Sequence, residues 1–178
     1  MRLAADSPEA MAKGFARWAR DSEYARLADS EPAQLWSEQK HRERIGKQLE
    51  EDGRDAWHFS IRTLAEDVLI GEIGIRPRWE HADAWVGIAI GDRTYWGRGY
   101  GSDAMRLIIR FGFYELGLYR ISLSLHSYNQ RARRAYEKLG FVYEGTQRGD
   151  TFREGRRTDG IFMGLLRREW LALEAGQA

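Results

Sequence analysis

Hydrophobic and polar positions repeat at two different periods along this chain, and the changes of period mark its elements. Arg2 to Ala5 allow a short edge strand, and Ser7-Pro8-Glu9 then opens a helix from Pro8 to about Arg20. Proline is tolerated in a first helical turn, and Glu9 is favourable at the positive helix end. A second helix is expected from about Pro32, after Ser30, to Glu51, where "EDGRD" breaks the pattern. Alternation then takes over in "AWHFSIRTL" and "VLIGEIGIR", separated by the polar "AED", and again in "AWVGIAI", which stops at Gly91. These three strands read as a meander. From about Ser102 to Leu116 the period is helical, with Met105, Ile108, Ile109, Phe113 and Leu116 on one face and Gly117 at the expected left-handed cap. "YRISLSLH" alternates as a strand, and "NQRARRAYEKLGF" places Ala132, Ala135, Tyr136 and Leu139 on one face of a short helix stopped by Gly140. "FVYEGTQRGDTFR" and "RRTDGIFMGLLRREW", joined through Glu154 and Gly155, read as a long closing hairpin. The order (β)ααβββαβαββ predicts an α+β fold, a mixed central sheet with helices on both faces.

Composition narrows the function classes. At 178 residues and 43% hydrophobic content, one domain over residues 1–178 is long enough to bury a core. Lys+Arg is 28 against 27 for Asp+Glu, so the net charge of +1 makes no general case for nucleic acid or a membrane surface. The charge is uneven, with 15 basic and 18 acidic residues through Tyr100 and 13 and 9 thereafter. That leans toward an anionic ligand in the second half. The absence of cysteine excludes disulfides, thiolate catalysis and cysteine metal sites, and His41, His58, His81 and His126 have no metal-ligand spacing, so no metal is expected. Arg2 and Asp6 fall where a signal peptide needs an apolar core, and no run of about 18 apolar residues follows, so a cytoplasmic protein is expected.

One stretch admits both a structural and a functional explanation. "TYWGRGYGSDAM" sets Gly97, Gly99 and Gly101 at alternate positions directly before a helix. Ordered glycine costs roughly 0.5–1 kcal/mol against alanine in a regular element, so the pattern needs a reason. A tight turn reaching φ > 0 is one; a backbone whose N–H groups approach an anion at a helix N-terminus is the other. A phosphate-binding P-loop is excluded because no Lys-Ser/Thr pair follows, and the dinucleotide fingerprint fails because Ser102 stands at its third glycine.

The second constellation is "YNQRARRAYEKLGF". Together with "YWGRGYGSDAM" and the strand "AWVGIAI", it resembles the GNAT superfamily of acyl-CoA-dependent N-acetyltransferases, in the branch of RimJ/RimL-like and spermidine N-acetyltransferases. In that family a glycine turn opening a helix binds the coenzyme A pyrophosphate, and an N-x-x-[AS]-x-x-x-Y-x-K-x-G-F helix follows the next strand. The second pattern is complete here as Asn129, Ala132, Tyr136, Lys138, Gly140 and Phe141. The resemblance covers nearly the whole chain. It implies that Ile88, Ala89 and Ile90 pair through their backbone with the pantetheine arm, like an added strand. It implies also that Gly97, Arg98, Gly99, Tyr100, Gly101 and Ser102 form the pyrophosphate turn, with Asn129 at the pantetheine and Arg134 at a phosphate. The plainer reading of Arg131, Arg133 and Arg134 is a solvated helix face. Trp96 stands where the family often has Gln or Arg, and is expected to pack rather than hydrogen-bond.

The implied activity is acetyl transfer from acetyl-CoA, as co-substrate, to a primary amine by direct attack in a ternary complex. Such a reaction needs a deprotonated amine, an oxyanion donor and a proton for the leaving thiolate. The resemblance implies a backbone N–H near Ile88–Ile90 as the donor and Tyr136 as the acid, although a tyrosine on an apolar helix face is otherwise ordinary core. Many relatives carry the base on the strand that holds the cofactor, yet "AWVGIAI" has no carboxylate. Glu72, Glu80, His81, Asp83 and His126 remain open, with water relays besides. The acceptor also stays open among protein N-termini, polyamines, aminoglycosides and amino acids; the acidic first half, including Glu23, Glu31, Glu38 and Glu43, is compatible with a cationic amine. A non-catalytic acyl-CoA-binding sensor would keep the turn without needing Tyr136. An arginine-rich RNA-binding module is a third class, whose sign would be a steep salt dependence. Family analogy and seven tryptophans, eight tyrosines and seven phenylalanines point to a homodimer.

Overall fold

The computed structural model describes residues 1–28, 34–50 and 55–177. Its strands are β1 (Arg2–Ala4), β2 (Trp57–Arg62), β3 (Leu69–Arg78), β4 (Asp83–Ile90), β5 (Arg120–His126), β6 (Val142–Arg153) and β7 (Arg156–Leu166). The helices are α1 (Pro8–Trp18), α2 (Ser22–Ala28), α3 (Glu38–Glu50), α4 (Tyr100–Arg110), α5 (Gln130–Lys138) and α6 (Arg167–Gln177). The strands follow the order β1-β2-β3-β4-β5-β7-β6; β1–β2, β2–β3, β5–β7 and β6–β7 pair antiparallel and β4–β5 parallel, so the sheet is mixed and the fold class α+β, as expected. The chain divides into two compact units, Met1–Arg76 with Gly87–Met105, and Pro77–Val86 with Arg106–Ala178.

In the first unit β1, β2 and β3 form an antiparallel meander, with Leu3 opposite Ile61 and Ser60 opposite Glu72. Ser7 caps α1 by accepting from the Ala10 N–H at 3.3 Å, and Pro8 follows it, as the sequence predicts. Helices α1 and α3 bury Met11, Ala12 and Ile45 against each other, with Phe15 and Leu49 packed on that cluster. The expected second helix is corrected at its start: α3 begins at Glu38, where the Ser37 hydroxyl accepts from the Lys40 N–H at 3.2 Å, and Gln34 to Ser37 are not helical. Its expected ends at Pro32 and Glu51 lie outside the described residues, as do Ser30 and Glu31. Helix α2 was not anticipated; Asp21 nucleates it by accepting from the N–H groups of Glu23 and Tyr24 at 2.9 and 3.0 Å.

In the second unit the β4–β5 ladder runs from the Asp83–Arg120 pair to the Trp85–Ser122 pair, while β5 is matched to β7 along its whole length, from Arg120–Leu166 to His126–Gly160. The β6–β7 hairpin turns at Glu154 and Gly155, both at positive φ. After α4 the helical course widens to a π-turn over Phe111–Glu115 and ends at Gly117, at φ 65°. The hairpin's expected continuation through "RREW" is corrected: β7 stops at Leu166, Glu169 accepts from the Leu166 N–H at 3.0 Å, and α6 begins. Trp170 of that helix is buried against Phe113 and Tyr114, at ring separations of 5.3 and 5.0 Å.

Candidate functional site

The glycine turn is built from the residues that precede it. Asp92 starts a 3-10 turn over Arg93–Tyr95, its carboxylate accepting from the Thr94 N–H at 3.0 Å and the Thr94 hydroxyl at 2.7 Å. Those bonds hold its carboxyl below the usual carboxylate range. Gly97 and Gly99 then take φ of 71° and 88°, the left-handed conformation that costs other residues strain, so the turn explains two of the three glycines. Gly101 has ordinary φ and lies in the first turn of α4. A Cβ there would meet nothing closer than the Ile90 side chain at 3.8 Å and that of Ile88 at 4.0 Å. The chain's own packing gives no reason for a glycine at that position.

The same geometry joins the turn to the end of β4. The first helical bond of α4 is Asp103 N–H to the Gly99 carbonyl at 2.9 Å, so the preceding N–H groups of Tyr100, Gly101 and Ser102 have no partner in the helix. Ile88, Ala89 and Ile90 are half-buried. The indole N–H of Trp96 donates to the Ile90 carbonyl at 2.7 Å, which corrects the expectation that Trp96 packs without hydrogen-bonding. A backbone carbonyl at the strand end, rather than a side chain, is its partner, and sequence carries no signal for such a bond. Arg98 is exposed and donates to the Thr94 carbonyl at 3.3 Å. Phosphate-bearing groups fit this cradle, because its donors are backbone amides and its floor lacks a Cβ.

In the second unit α5 carries the other motif. Asn129 caps it, its side-chain oxygen accepting from the Ala132 N–H at 3.2 Å, which leaves the amide NH2 as the donor for a ligand. Arg133 pairs with Glu137 at 2.9 Å and lies over Tyr143, the ordinary fate of an exposed helix face. Arg134 is exposed and makes no ion pair among the described residues. Tyr136 is half-buried with its ring edge-on to Phe141 at 5.9 Å, and its hydroxyl hydrogen-bonds to none of the described residues. Desolvation pushes its phenol up to about 12, so it is protonated throughout the neutral range.

The open candidates for a base separate on their partners. Asp83 is ion-paired with Arg78, Glu80 and His81 are exposed on the short turn before β4, and His126 stacks on Tyr128 at 4.9 Å. Glu72 differs from these: burial raises its carboxyl to about 7 against the weaker opposing pull of Arg44. Among the described residues no three His, Asp or Glu side chains gather to hold a metal ion, and no helix is long and apolar enough to cross a membrane.

The sequence profile of the acetyltransferase (GNAT) domain matches residues 3–142. The chain is 36% identical over 76 residues to the SPbeta prophage-derived uncharacterized N-acetyltransferase YokL of Bacillus subtilis, a match covering 43% of each chain. It is 33% identical over 113 residues to the uncharacterized N-acetyltransferase p20 of Bacillus licheniformis, covering 63% of each. To the spermidine N(1)-acetyltransferase of Escherichia coli it is 33% identical over 78 residues, 44% of this chain and 42% of that one. The chain thus spans about half the length of the curated relatives it matches. In fold it is similar to the spermidine N-acetyltransferase of Vibrio cholerae crystallised with CoA and spermine, with a TM-score of 0.81 at 22% identity over 96% of this chain and 97% of that one. With two family motifs present in order and the family profile matched over residues 3–142, the chain belongs to the GNAT acetyltransferase domain family.

Proposed function

We propose that this protein is an acetyl-CoA-dependent N-acetyltransferase that acetylates a primary amine, a polyamine or a protein N-terminus, within one domain spanning residues 1–178. The observation that carries the reading is Gly101, a glycine with ordinary φ and open space where its Cβ would be, among helix-start amides that have no partner within the helix. The amides of Tyr100, Gly101 and Ser102 would hold the pyrophosphate with Gly97, Arg98 and Gly99, and Arg134 would meet a further phosphate. Ile88, Ala89 and Ile90 would pair with the pantetheine, and Asn129 would donate to it through its free amide. When bound, acetyl-CoA supplies an activated acyl carbon and a thiol leaving group. Tyr136, protonated and without an internal partner, holds the proton that the departing sulfur requires. Polyamine acceptors are favoured by the spermidine acetyltransferases among the relatives and fold neighbours.

Calorimetric titration with acetyl-CoA, without added metal, tests the cofactor site, and a screen of amines reporting free thiol tests the reaction. Binding is expected in the wild type and a loss of at least about tenfold in Gly101→Val, without a fall in Tm, since a Cβ there meets only ordinary contacts. Gly99 is the poorer position for this test, because a β-branched residue at φ 88° is strained in the free protein as well. Wild-type affinity in Gly101→Val would remove the assignment of the turn. Tight acetyl-CoA binding without turnover on any amine would favour the acyl-CoA sensor instead.

A further inference from the structure

We propose that Glu72 is the carboxylate that receives the acceptor's ammonium group and takes its proton before acetyl transfer. The inference rests on the acetyltransferase reading and names a residue that reading leaves unassigned. Its geometry starts one residue earlier. A Cβ on Gly71 would collide with the Ala89 carbonyl and touch the Ile90 side chain, so β3 at Gly71 lies tightly against the Ile88–Ile90 stretch of β4. Side chains alternate along a strand, so Glu72 faces away from Ile90 and from the start of α4, whose Gly101 lies on the Ile88 and Ile90 side chains. The glutamate therefore stands beside the strand end expected to carry the thioester, on the face opposite the phosphate-binding helix.

The elements around Glu72 leave it unspent. Opposite it on β2 stands Ser60, whose hydroxyl is committed to the Ala4 carbonyl at 3.0 Å and the Asp6 carboxylate at 2.6 Å. The next residue of β3 on the same face is Gly74, covered by the His58 imidazole. The charged group whose field reaches Glu72 from the helices is Arg44 of α3, which itself lies over the Trp36 ring at 5.4 Å. On β4 the neighbouring Ala89 carries no charge. Four other carboxylates of this unit are engaged: Asp6 by Arg62, Asp21 by Arg93, Asp67 by Arg2, and Asp92 by Thr94 and Arg17. The carboxylate of Glu72 makes no hydrogen bond or ion pair with a described residue. Burial without a partner costs a carboxylate its charge, and a cationic amine arriving beside it restores that charge. A carboxyl at about 7 is matched to taking a proton from an ammonium at neutral pH.

The proton balance is simple. The ammonium gives one proton to Glu72 and becomes a free amine. Its nitrogen attacks the thioester carbonyl; the C–N bond forms, the C–S bond breaks, and the thiolate takes the Tyr136 proton. The second proton leaving the nitrogen returns through solvent to Tyr136, and Glu72 releases its own to solvent. The net products are the amide, the free thiol and one proton.

Steady-state kinetics with acetyl-CoA and spermidine, from pH 5.5 to 9, on wild type, Glu72→Gln and Glu72→Asp tests this assignment. The wild-type kcat/KM is expected to rise with pH through a group near 7. Glu72→Gln should lose that limb and about 10²-fold in kcat, with Glu72→Asp recovering part of both and acetyl-CoA affinity unchanged in all three. Glutamate 13C NMR is the readout independent of turnover: one carboxyl titrating near 7, absent in Glu72→Gln, and moved by added spermidine. A Glu72→Gln protein with wild-type kcat and limb, or one that loses acetyl-CoA binding and Tm without rescue by aspartate, overturns the proposal. If no amine is acetylated by wild type, the acetyltransferase reading fails by itself; the carboxyl's response to spermidine then still decides Glu72, and no response overturns it.

Discussion

Tyr136 shows how one side chain can serve packing and chemistry, and how the two are separated. Its ring contacts Phe141, and its carbonyl accepts from the N–H groups of Leu139 and Phe141 at 3.0 and 3.1 Å, so the residue is part of the end of α5. Only the hydroxyl is left for a proton transfer. Tyr136→Phe keeps the ring and removes that hydroxyl, and is expected to lower kcat about 10²-fold while acetyl-CoA affinity and Tm stay unchanged. With the phenol raised to about 12, the alkaline limb of the rate profile falls beyond pH 10, above where an unperturbed tyrosine would place it. The linkage sign follows from the same shift. Folding favours the protonated phenol, so the Tyr136 contribution to stability is constant below about 10, where an unfolded tyrosine titrates, and is lost as pH rises from there toward 12. Denaturant unfolding at pH 8 and 11 should show this extra loss in wild type and not in Tyr136→Phe. An unchanged kcat in the folded variant would return Tyr136 to packing alone.

At the scale of elements, α2 is held by a single aspartate with two tasks. Asp21 accepts from the first N–H groups of α2 and also from Arg93, whose Nε lies 2.9 Å away, so the short helix is tied to the turn that leads into Gly97. Arg93, first through its hydrogen bond, keeps the Asp21 carboxyl below the usual range. The cap is the stronger of the two, because exposed ion pairs are worth little and a lost cap costs about 0.5–2 kcal/mol. Asp21→Ala should therefore destabilise by about 1 kcal/mol, while Asp21→Asn, which keeps the cap and loses the charge, should cost at most a few tenths. Urea unfolding of the three proteins measures both. Equal losses in the two variants would mean that the ion pair, and not the cap, holds α2.

For the molecule as a whole, the distribution of aromatic rings bears on assembly. Trp18, Phe113 and Trp170 are buried, whereas Tyr114, Tyr119, Tyr143 and Phe152 are 50, 54, 48 and 65% exposed. Exposed aromatic side chains are favoured at interfaces, and these four belong to the second compact unit, which brings a large aromatic complement to the surface. A homodimer is the expected state in solution. Sedimentation across micromolar concentrations checks it, and a monomer throughout would show that these rings serve no self-association.

The two motifs were legible in the sequence because each is local. A left-handed turn requires glycine at Gly97 and Gly99, a helix start takes Asn129 as its cap, and Gly140 at φ 92° stops α5, all within a few residues of chain. Strand alternation and the mixed fold class were readable for the same reason. The tertiary structure decided what depends on distant neighbours. It gave Trp96 a carbonyl six residues back, started α6 where Trp170 could reach Phe113, and nucleated α2 on an aspartate that also meets Arg93. Above all it separated five possible bases. Desolvation and hydrogen bonding act through space, so a glutamate's neighbours across β2, α3 and β4, and not its place in the sequence, set whether it stands paired or half-buried and available.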